Sequence, residues 1–456
     1  MIFEQFYLEC LSHASYLIGD QTTGDAVVVD PQRDIGPYLE AATSLDLHIK
    51  YVVLTHFHAD FVSGHLELAE KTGATILMGA KAETEYAMMP VRDGNDLSLG
   101  KVRLQFLETP GHTPESISVV VYESADAEPY GVLTGDALFV GDVGRPDLLA
   151  SLGYTKDQLG EMLYDSLHNK LMQLPDNTRV FPAHGAGSMC GKNLGTERST
   201  TIGIQKQLNY ALQPMSKEMF LGMVTQDQPA APRYFVHDAI TNRKVRHTLS
   251  ETLKHADPLT AEETLTLMAK GQILLDTRDP DVFSMGHVLG SINVGLEGKY
   301  ATWVGSVIRP EENIIVLTEP GREIEAMTRL GRIGYDNITG FVSGGFEAFP
   351  KEQITQIPRL EASILPQEGK FTFLDVREPS EFALGTIPGS RNISLKALRE
   401  NMDDLPKEDV IVFCAGGYRS SVALSLLTRA GIKARDLRGG YAAWVEAQPK
   451  TETQLS

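Results

Sequence analysis

Histidines and aspartates recur in this 456-residue chain at spacings that suit metal chelation. The stretch THFHADFVSGH (Thr55–His65) sets His56, His58 and Asp60 at alternate positions, with Phe61 next. Downstream, TPGHTP offers His112 after a proline-glycine turn, LTGDALF offers Asp136, and FPAHGAGS offers His184. Imidazole nitrogen and carboxylate oxygen are donors for zinc and for ferrous iron, and strand ends and glycine loops are typical places to present them. Taken singly, each of these residues is as well explained as an ordinary core or surface side chain. The ordered set HxHxD, PGH, GDA and PAH is what points to a metal.

A second chemistry sits near the other end. VIVFCAGGYRSSVALSLLTRAG (Val410–Gly431) reads as an apolar strand ending at Cys414, a glycine loop, and a helix from about Ser420. Such a loop turns backbone N–H groups inward, and the helix N-terminus adds partial positive charge. Both favour a thiolate, as does Arg419, so Cys414 reads as a nucleophile in an anion-binding cup. The plainer alternative is a small buried strand-end hydrophobe. It leaves Gly416, Gly417, Arg419 and the helix start unaccounted for.

The elements that must carry these groups are short. AVVVD (Ala26–Asp30), IKYVVLTH (Ile49–His56), ATILMG (Ala74–Gly79) and GVLTGD (Gly131–Asp136) are apolar, β-branched strands. DIGPYLEAATSL and SGHLELAEKTG have helical spacing, and Lys156–Leu174 is an amphipathic helix. Alternating strands and helices imply layered α/β packing. After the Pro- and Ala-rich stretch Thr225–Phe235 and a polar connector, the chain repeats itself. LDTRDPDVFSMGHVLGSIN (Leu275–Asn293) matches LDVREPSEFALGTIPGSRN (Leu374–Asn392), and SGGFEAF matches RGGYAAW. Asp276, Arg278, Gly290, Ser291 and Asn293 recur 99 positions later. A repeat of that length is a duplicated domain.

Composition limits the partners. A net charge of -19 repels phosphate backbones, so nucleic acid is not expected. Three cysteines, Cys10, Cys190 and Cys414, form no disulfide framework and suit a reducing cytoplasm. The start MIFEQFYLEC lacks the pattern of a signal peptide, and no apolar run reaches membrane-spanning length. The last residues, Pro449–Ser456, carry no element signal.

CAGGYRS resembles the active-site loop of rhodanese sulfurtransferases, and LDVREPSEF, GTIPGSRNI and RGGYAAW resemble that family's other signatures. The resemblance runs from Leu365 to about Val445. It implies that Cys414 carries sulfane sulfur as a persulfide, with Arg419 and the cradle Ala415, Gly416, Gly417 and Tyr418 around it. The first copy departs from the pattern. Its strand NIIVLTEPGRE puts Thr318 or Glu319 where the cysteine falls, depending on the gap, and no cysteine occurs between 191 and 413. That copy is expected to be catalytically dead, packing the other domains together or binding something.

The HxHxD, PGH, GDA and PAH set resembles the metallo-β-lactamase superfamily over about residues 1–190. The implied architecture is an αββα sandwich followed by two rhodanese-like α/β domains with central parallel sheets, with bounds 1–232, 257–350 and 358–450. Two-metal hydrolases of that superfamily would need a ligand at position 61, which Phe61 cannot be. The persulfide dioxygenases of the superfamily hold one ferrous ion. Carried over by motif, His56, His112 and Asp136 become its ligands, and His58, Asp60 and His184 become second-metal or outer groups. Those enzymes often have His where this chain has Phe61, so the residue supports one metal without proving iron.

GRPDLL (Gly144–Leu149) resembles a segment of the same family, in which Arg145 either organises the substrate mouth or pairs with Asp147. Cys190, six residues after His184, is either a sulfur relay or a loop cysteine without chemistry. Cys10 is expected to be structural. The whole resembles bacterial multidomain persulfide dioxygenase–sulfurtransferases. That implies Fe2+, one per chain, small thiol persulfides of glutathione or coenzyme A type, O2, sulfite and thiosulfate, and a homo-oligomer without membrane contact. The alternative is a Zn2+ glyoxalase II-type thioesterase fused to a sulfurtransferase.

Overall fold

The computed structural model describes residues 1–148, 153–226, 228, 231–365 and 371–448; Leu149 and Pro449–Ser456 lie outside the described residues. The chain divides into two compact units, Met1–Thr252 with Gly331–Gly334, and Leu253–Leu330 with Tyr335–Ser456.

The first unit contains two six-stranded sheets. One runs Ile2–Leu8, His13–Gly19, Asp25–Val29, His48–Val53, Thr75–Gly79, Met89–Val91 in spatial order. The other runs Thr200–Thr201, Arg179–Pro182, Gly131–Gly135, Ile117–Tyr122, Val102–Glu108, Asp96–Leu99. Side chains alternate across each strand, so every strand has two apolar assignments to fill. Val27, Val29, Val53 and Leu77 of the first sheet meet Leu104, Phe106, Val119, Val121 and Leu133 of the second in one core. The intervening Val28 and Val52 turn outward onto Tyr38 and Ala42 of helix Gly36–Ser44 and Leu68 of helix His65–Thr72. Val120, Val132 and Val180 turn the other way, onto Leu163 and Leu167 of helix Lys156–Asn169. The layering is therefore αββα, as the motif set implies.

Helix Lys156–Asn169 opens on a capping box. Thr155 Oγ1 accepts from Gln158 N at 3.1 Å, and Gln158 Oε1 accepts from Thr155 N at 2.9 Å. It ends at Asn169, short of the expected Leu174, because Lys170 leaves helical geometry and a 3-10 turn, Leu171–Gln173, follows.

The second unit holds the duplicated domains. Each has a five-stranded, all-parallel sheet. The first is ordered Asp257–Leu259, Ile338–Val342, Ile314–Leu317, Ile273–Asp276, Ile292–Asn293; the second is ordered Arg359–Leu360, Ala434–Leu437, Val410–Phe413, Thr372–Asp375, Arg391–Asn392. The topology is identical, and so is a buried clamp. Arg278 grips Asp276 at 2.6 Å, and Arg377 grips Asp375 at 2.7 Å. Register settles which residue replaces the cysteine. Leu317 pairs with Asp276 as Phe413 pairs with Asp375, so Thr318 stands where the other copy has Cys414. Among the described residues, no helix is long and apolar enough to cross a membrane.

Candidate metal centre and thiol loop

Strand ends of both sheets of the first unit deliver the metal-binding residues. His56 and His58 follow strand His48–Val53, His112 follows Val102–Glu108, Asp136 follows Gly131–Gly135, and His184 follows Arg179–Pro182. All five are at most 2% exposed, and Asp60 is 4% exposed. Gly111 lets the His112 turn press on helix Lys156–Asn169, since a Cβ there would lie 2.4 Å from Leu163 Cα.

His56, His112 and Asp136 converge, with ligand atoms within 4.8 Å of one another. Hydrogen bonding fixes the tautomers. The Thr55 hydroxyl donates to Asp30 Oδ2 at 2.8 Å, so His56 Nδ1, 2.9 Å away, donates to Thr55 Oγ1. His112 Nδ1 lies 3.0 Å from the Arg145 carbonyl, which can only accept. Both rings therefore turn a bare Nε2 lone pair inward. His56 Nε2 lies 3.7 Å and His112 Nε2 3.5 Å from Asp136 Oδ2. His56 Nε2 and Asp136 Oδ2 are buried without a hydrogen-bond partner among the described residues.

Electrostatics agree. Burial, and then neighbouring His58, push His56 well below the ordinary imidazole range against the pull of Asp136. Burial likewise lowers His112, again against Asp136. Burial would raise Asp136, yet His184 and His56 hold its carboxyl well below the usual range. Two neutral rings and one anion, all acceptors, repel unless a cation sits among them. The residues fit a metal.

His58, Asp60 and His184 form a second group of possible donors. His184 Nδ1 lies 2.7 Å from Asp136 Oδ1, and its Nε2 lies 2.9 Å from Asp60 Oδ2. Burial opposes its charge, but Asp136 and then Asp60 raise it well above the ordinary range. His58 Nε2 lies 3.0 Å from Asp30 Oδ1. Phe61 is fully buried, its ring 4.4 Å from His58 and 4.1 Å from His13, and it offers no donor atom.

Cys190 reaches the same place. Its sulfur joins Asp136 and His184 in a third group of possible donors. Burial, then Asp60 and Asp136, push its thiol well up. Arg145 is buried, with Nε and Nη2 on Asp147 at 2.8 and 2.7 Å, and its carbonyl orients His112.

Three further residues support the site from outside its motifs. Asp30 and Thr55 orient His56. Asn242, at the end of helix Tyr234–Thr241, accepts from Ser63 N at 2.9 Å and donates to the carbonyls of His58 at 2.9 Å and Phe61 at 2.8 Å. The aspartate ending AVVVD was a signal for the first; nothing local marked Asn242.

In the second unit, Cys414 is 1% exposed at the end of strand Val410–Phe413, and helix Tyr418–Arg429 begins four residues on. Gly417 N–H donates to Cys414 Sγ at 3.0 Å, and the Ser420 hydroxyl lies 3.8 Å away. Arg419 is engaged by Glu381 at 2.6 and 2.8 Å, and its charge also interacts with Cys414. The Thr318 loop has no matching cup. Pro320 carries no N–H, and Gly321 N donates to Glu323 Oε1 at 3.1 Å.

Residues 8–184 match the metallo-beta-lactamase superfamily, and residues 260–352 and 361–447 each match the rhodanese-like domain. The mitochondrial persulfide dioxygenase ETHE1 of Bos taurus is 30% identical over 190 residues, covering 41% of this chain and 68% of that protein. The cytoplasmic hydroxyacylglutathione hydrolase of Arabidopsis thaliana is 33% identical over 182 residues, covering 39% and 66%. A crystal structure of a metallo-beta-lactamase from Staphylococcus aureus subsp. aureus COL superposes with a TM-score of 0.67 at 33% identity, covering 75% of this chain and 98% of that one.

Proposed function

The chain belongs to the metallo-beta-lactamase superfamily, among the persulfide dioxygenases, and carries two rhodanese-like domains; from that premise we propose that it oxidises small thiol persulfides at one ferrous ion and moves sulfane sulfur through Cys414. The net reaction consumes R-SSH, O2 and water and yields R-SH and sulfite. The Cys414 thiolate takes the outer sulfur of a second R-SSH, releasing R-SH, and the Cys414 persulfide then passes that sulfur to sulfite, giving thiosulfate and the free thiol, or runs in reverse.

The observation that carries the reading is the convergence of His56 Nε2, His112 Nε2 and Asp136 Oδ2 as proton-free acceptors in a buried site. His56, His112 and Asp136 would hold a ferrous ion, which would supply binding and activation of O2 and of a sulfur anion. The chain's own residues do the rest. Asp30 and Thr55 hold His56 in its ligating tautomer, and the Arg145 carbonyl does so for His112. His184 lies between Asp136 and Asp60, where it steadies the ligand carboxylate. The Phe61 ring packs on His58 and His13 beside these groups. At the other site, Gly417 N–H supports charge on Cys414 Sγ.

Oxygen uptake by iron-loaded protein on glutathione persulfide, with sulfite formed in step, is the expected result; no uptake refutes the proposal. A second reading, a zinc thioesterase, is favoured by the second donor group His58, Asp60 and His184. Two zinc ions per chain with thioester hydrolysis would establish it instead. One iron per chain excludes it.

A further inference from the structure

The cysteine-less copy contains a cavity that sulfur transfer at Cys414 does not account for. Its volume is about 490 Å3. It lies at the ends of strands Ile273–Asp276 and Ile314–Leu317, where the other copy places its thiol cup. Thr318, the residue in register with Cys414, forms part of its wall.

Three features point to a ligand. Thr277 lines the cavity and is 3% exposed, yet its hydroxyl has no hydrogen-bond partner among the described residues. Lys299 and Glu319 line the mouth with opposite charges, and among the described residues neither side chain makes an ion pair or hydrogen bond. Their neighbours are already committed. Arg322 is held by Glu297 at 2.8 Å and Glu325 at 2.9 Å, and Arg278 by Asp276. Trp303 adds an aromatic wall. Tyr418, from the loop that carries Cys414, completes the lining and donates its hydroxyl hydrogen to the Gly295 carbonyl at 2.7 Å.

We propose that this cavity binds a small zwitterionic thiol peptide of the glutathione class, the carrier that exchanges sulfane sulfur with Cys414. The proposal rests on the persulfide reading for the carrier's role. An isolated anion such as sulfite would meet Glu319 and Asp279 as well as Lys299, and would leave most of the volume empty. In a glutathione-class peptide the ammonium answers Glu319, one of the two carboxylates answers Lys299, and the second carboxylate lies at the other end of the peptide, away from both; the volume is in the range of small-molecule sites. The exchange needs no outside oxidant or reductant. The carrier thiolate attacks the outer sulfur of the Cys414 persulfide, a carrier S–S bond forms, the Cys414 S–S bond breaks, and its electron pair returns to Sγ. The cysteine-less copy thus serves the active one as a substrate-holding half.

The chain has two tryptophans, Trp303 and Trp444, and the latter stacks on Tyr441 outside the cavity. Trp444→Phe therefore leaves Trp303 as sole reporter in the full chain. Titration with S-methylglutathione, which cannot exchange sulfur, is expected to change Trp303 emission saturably. Lys299→Glu and Glu319→Lys, both at exposed positions, are each expected to weaken binding about tenfold. The same variants should raise KM for glutathione in sulfur transfer with kcat unchanged. An unsaturable signal, indifference to both charge reversals, or tighter binding of coenzyme A than of the peptide would overturn the proposal. Because the signal comes from Trp303 alone, a failure of oxygen uptake would leave it standing, and its own failure would leave the metal reading standing.

Discussion

Thr55→Val tests whether hydrogen bonding outside the ligand set prepares the metal site. Valine keeps the shape of threonine, which matters because Thr55 faces Gly135, where even a Cβ would come within 2.6 Å of Oγ1. What changes is the hydroxyl, which accepts from His56 Nδ1 at 2.9 Å and donates to Asp30 Oδ2 at 2.8 Å. Asp30 keeps the Thr55 backbone N–H at 2.7 Å, so the loop stays anchored. His56 does not keep its acceptor. Its buried Nδ1–H is either stranded, at a cost of about 1–3 kcal/mol, or moves to Nε2 and blocks the lone pair. At about 1.4 kcal/mol per decade, that is roughly 10- to 100-fold in metal affinity, the range seen for outer partners of metal ligands. The assay is competition for ferrous iron against a chromogenic chelator under nitrogen. Far-UV circular dichroism and Cys414 turnover serve as controls for folding. Thr55→Ser should stay within about threefold of wild type, since the hydroxyl is retained. A valine variant that binds iron as tightly as wild type would refute the tautomer argument.

Cys414→Ser should abolish sulfur transfer and leave oxygen uptake on glutathione persulfide intact, which paired assays would show. Thr318→Cys in that background should not restore transfer, because Pro320 and the committed Gly321 N–H leave the new thiol without a donor; persulfide labelling at position 318 checks this. Metal at 100 times its dissociation constant should stabilise the first unit by about 2.7 kcal/mol, so chelation should lower its Tm by roughly 5–10 °C in a thermal scan. Asp20→Asn should cost about 1–3 kcal/mol at neutral pH. Burial would raise the Asp20 carboxyl, but the Thr22 hydroxyl and the N–H groups of Lys101, Thr22 and Thr23 hold it well below the ordinary value of 3.8. That stabilisation is complete above pH 3.8 and is lost as pH falls further, so denaturant titrations of variant and wild type should converge in acid.

Much of the site was legible because its donors sit in short local signals. Strand ends and glycine turns announce His56, His112, Asp136, His184 and Cys414, and the chain brings the first three together, with His184 bonded to Asp136. The edge strands of the first unit, such as Ile2–Leu8 and Asp96–Leu99, were not legible, because half-exposed strands carry a weak apolar pattern. The replacement at position 318 needed strand register, which a gap in the repeat hides from the sequence. Roles that depend on which atom donates were invisible as well. The pairing of Arg419 with Glu381, 38 residues away in the chain, is one of these. Thr55 reads as an ordinary strand-end residue until its one hydrogen is traced.

Asn242 bears on how portable the metal chemistry is. Every donor side chain lies within residues 56–190, and the superfamily match ends at 184, yet the peptide between His58 and Ser63 is stapled by an amide far beyond both limits. A fragment cut at residue 232 would retain each chelating group and lose the staple. The metal-bearing segment is thus not a self-sufficient cassette within the bounds of its chelating residues: it needs the helix Tyr234–Thr241 and the asparagine that follows it.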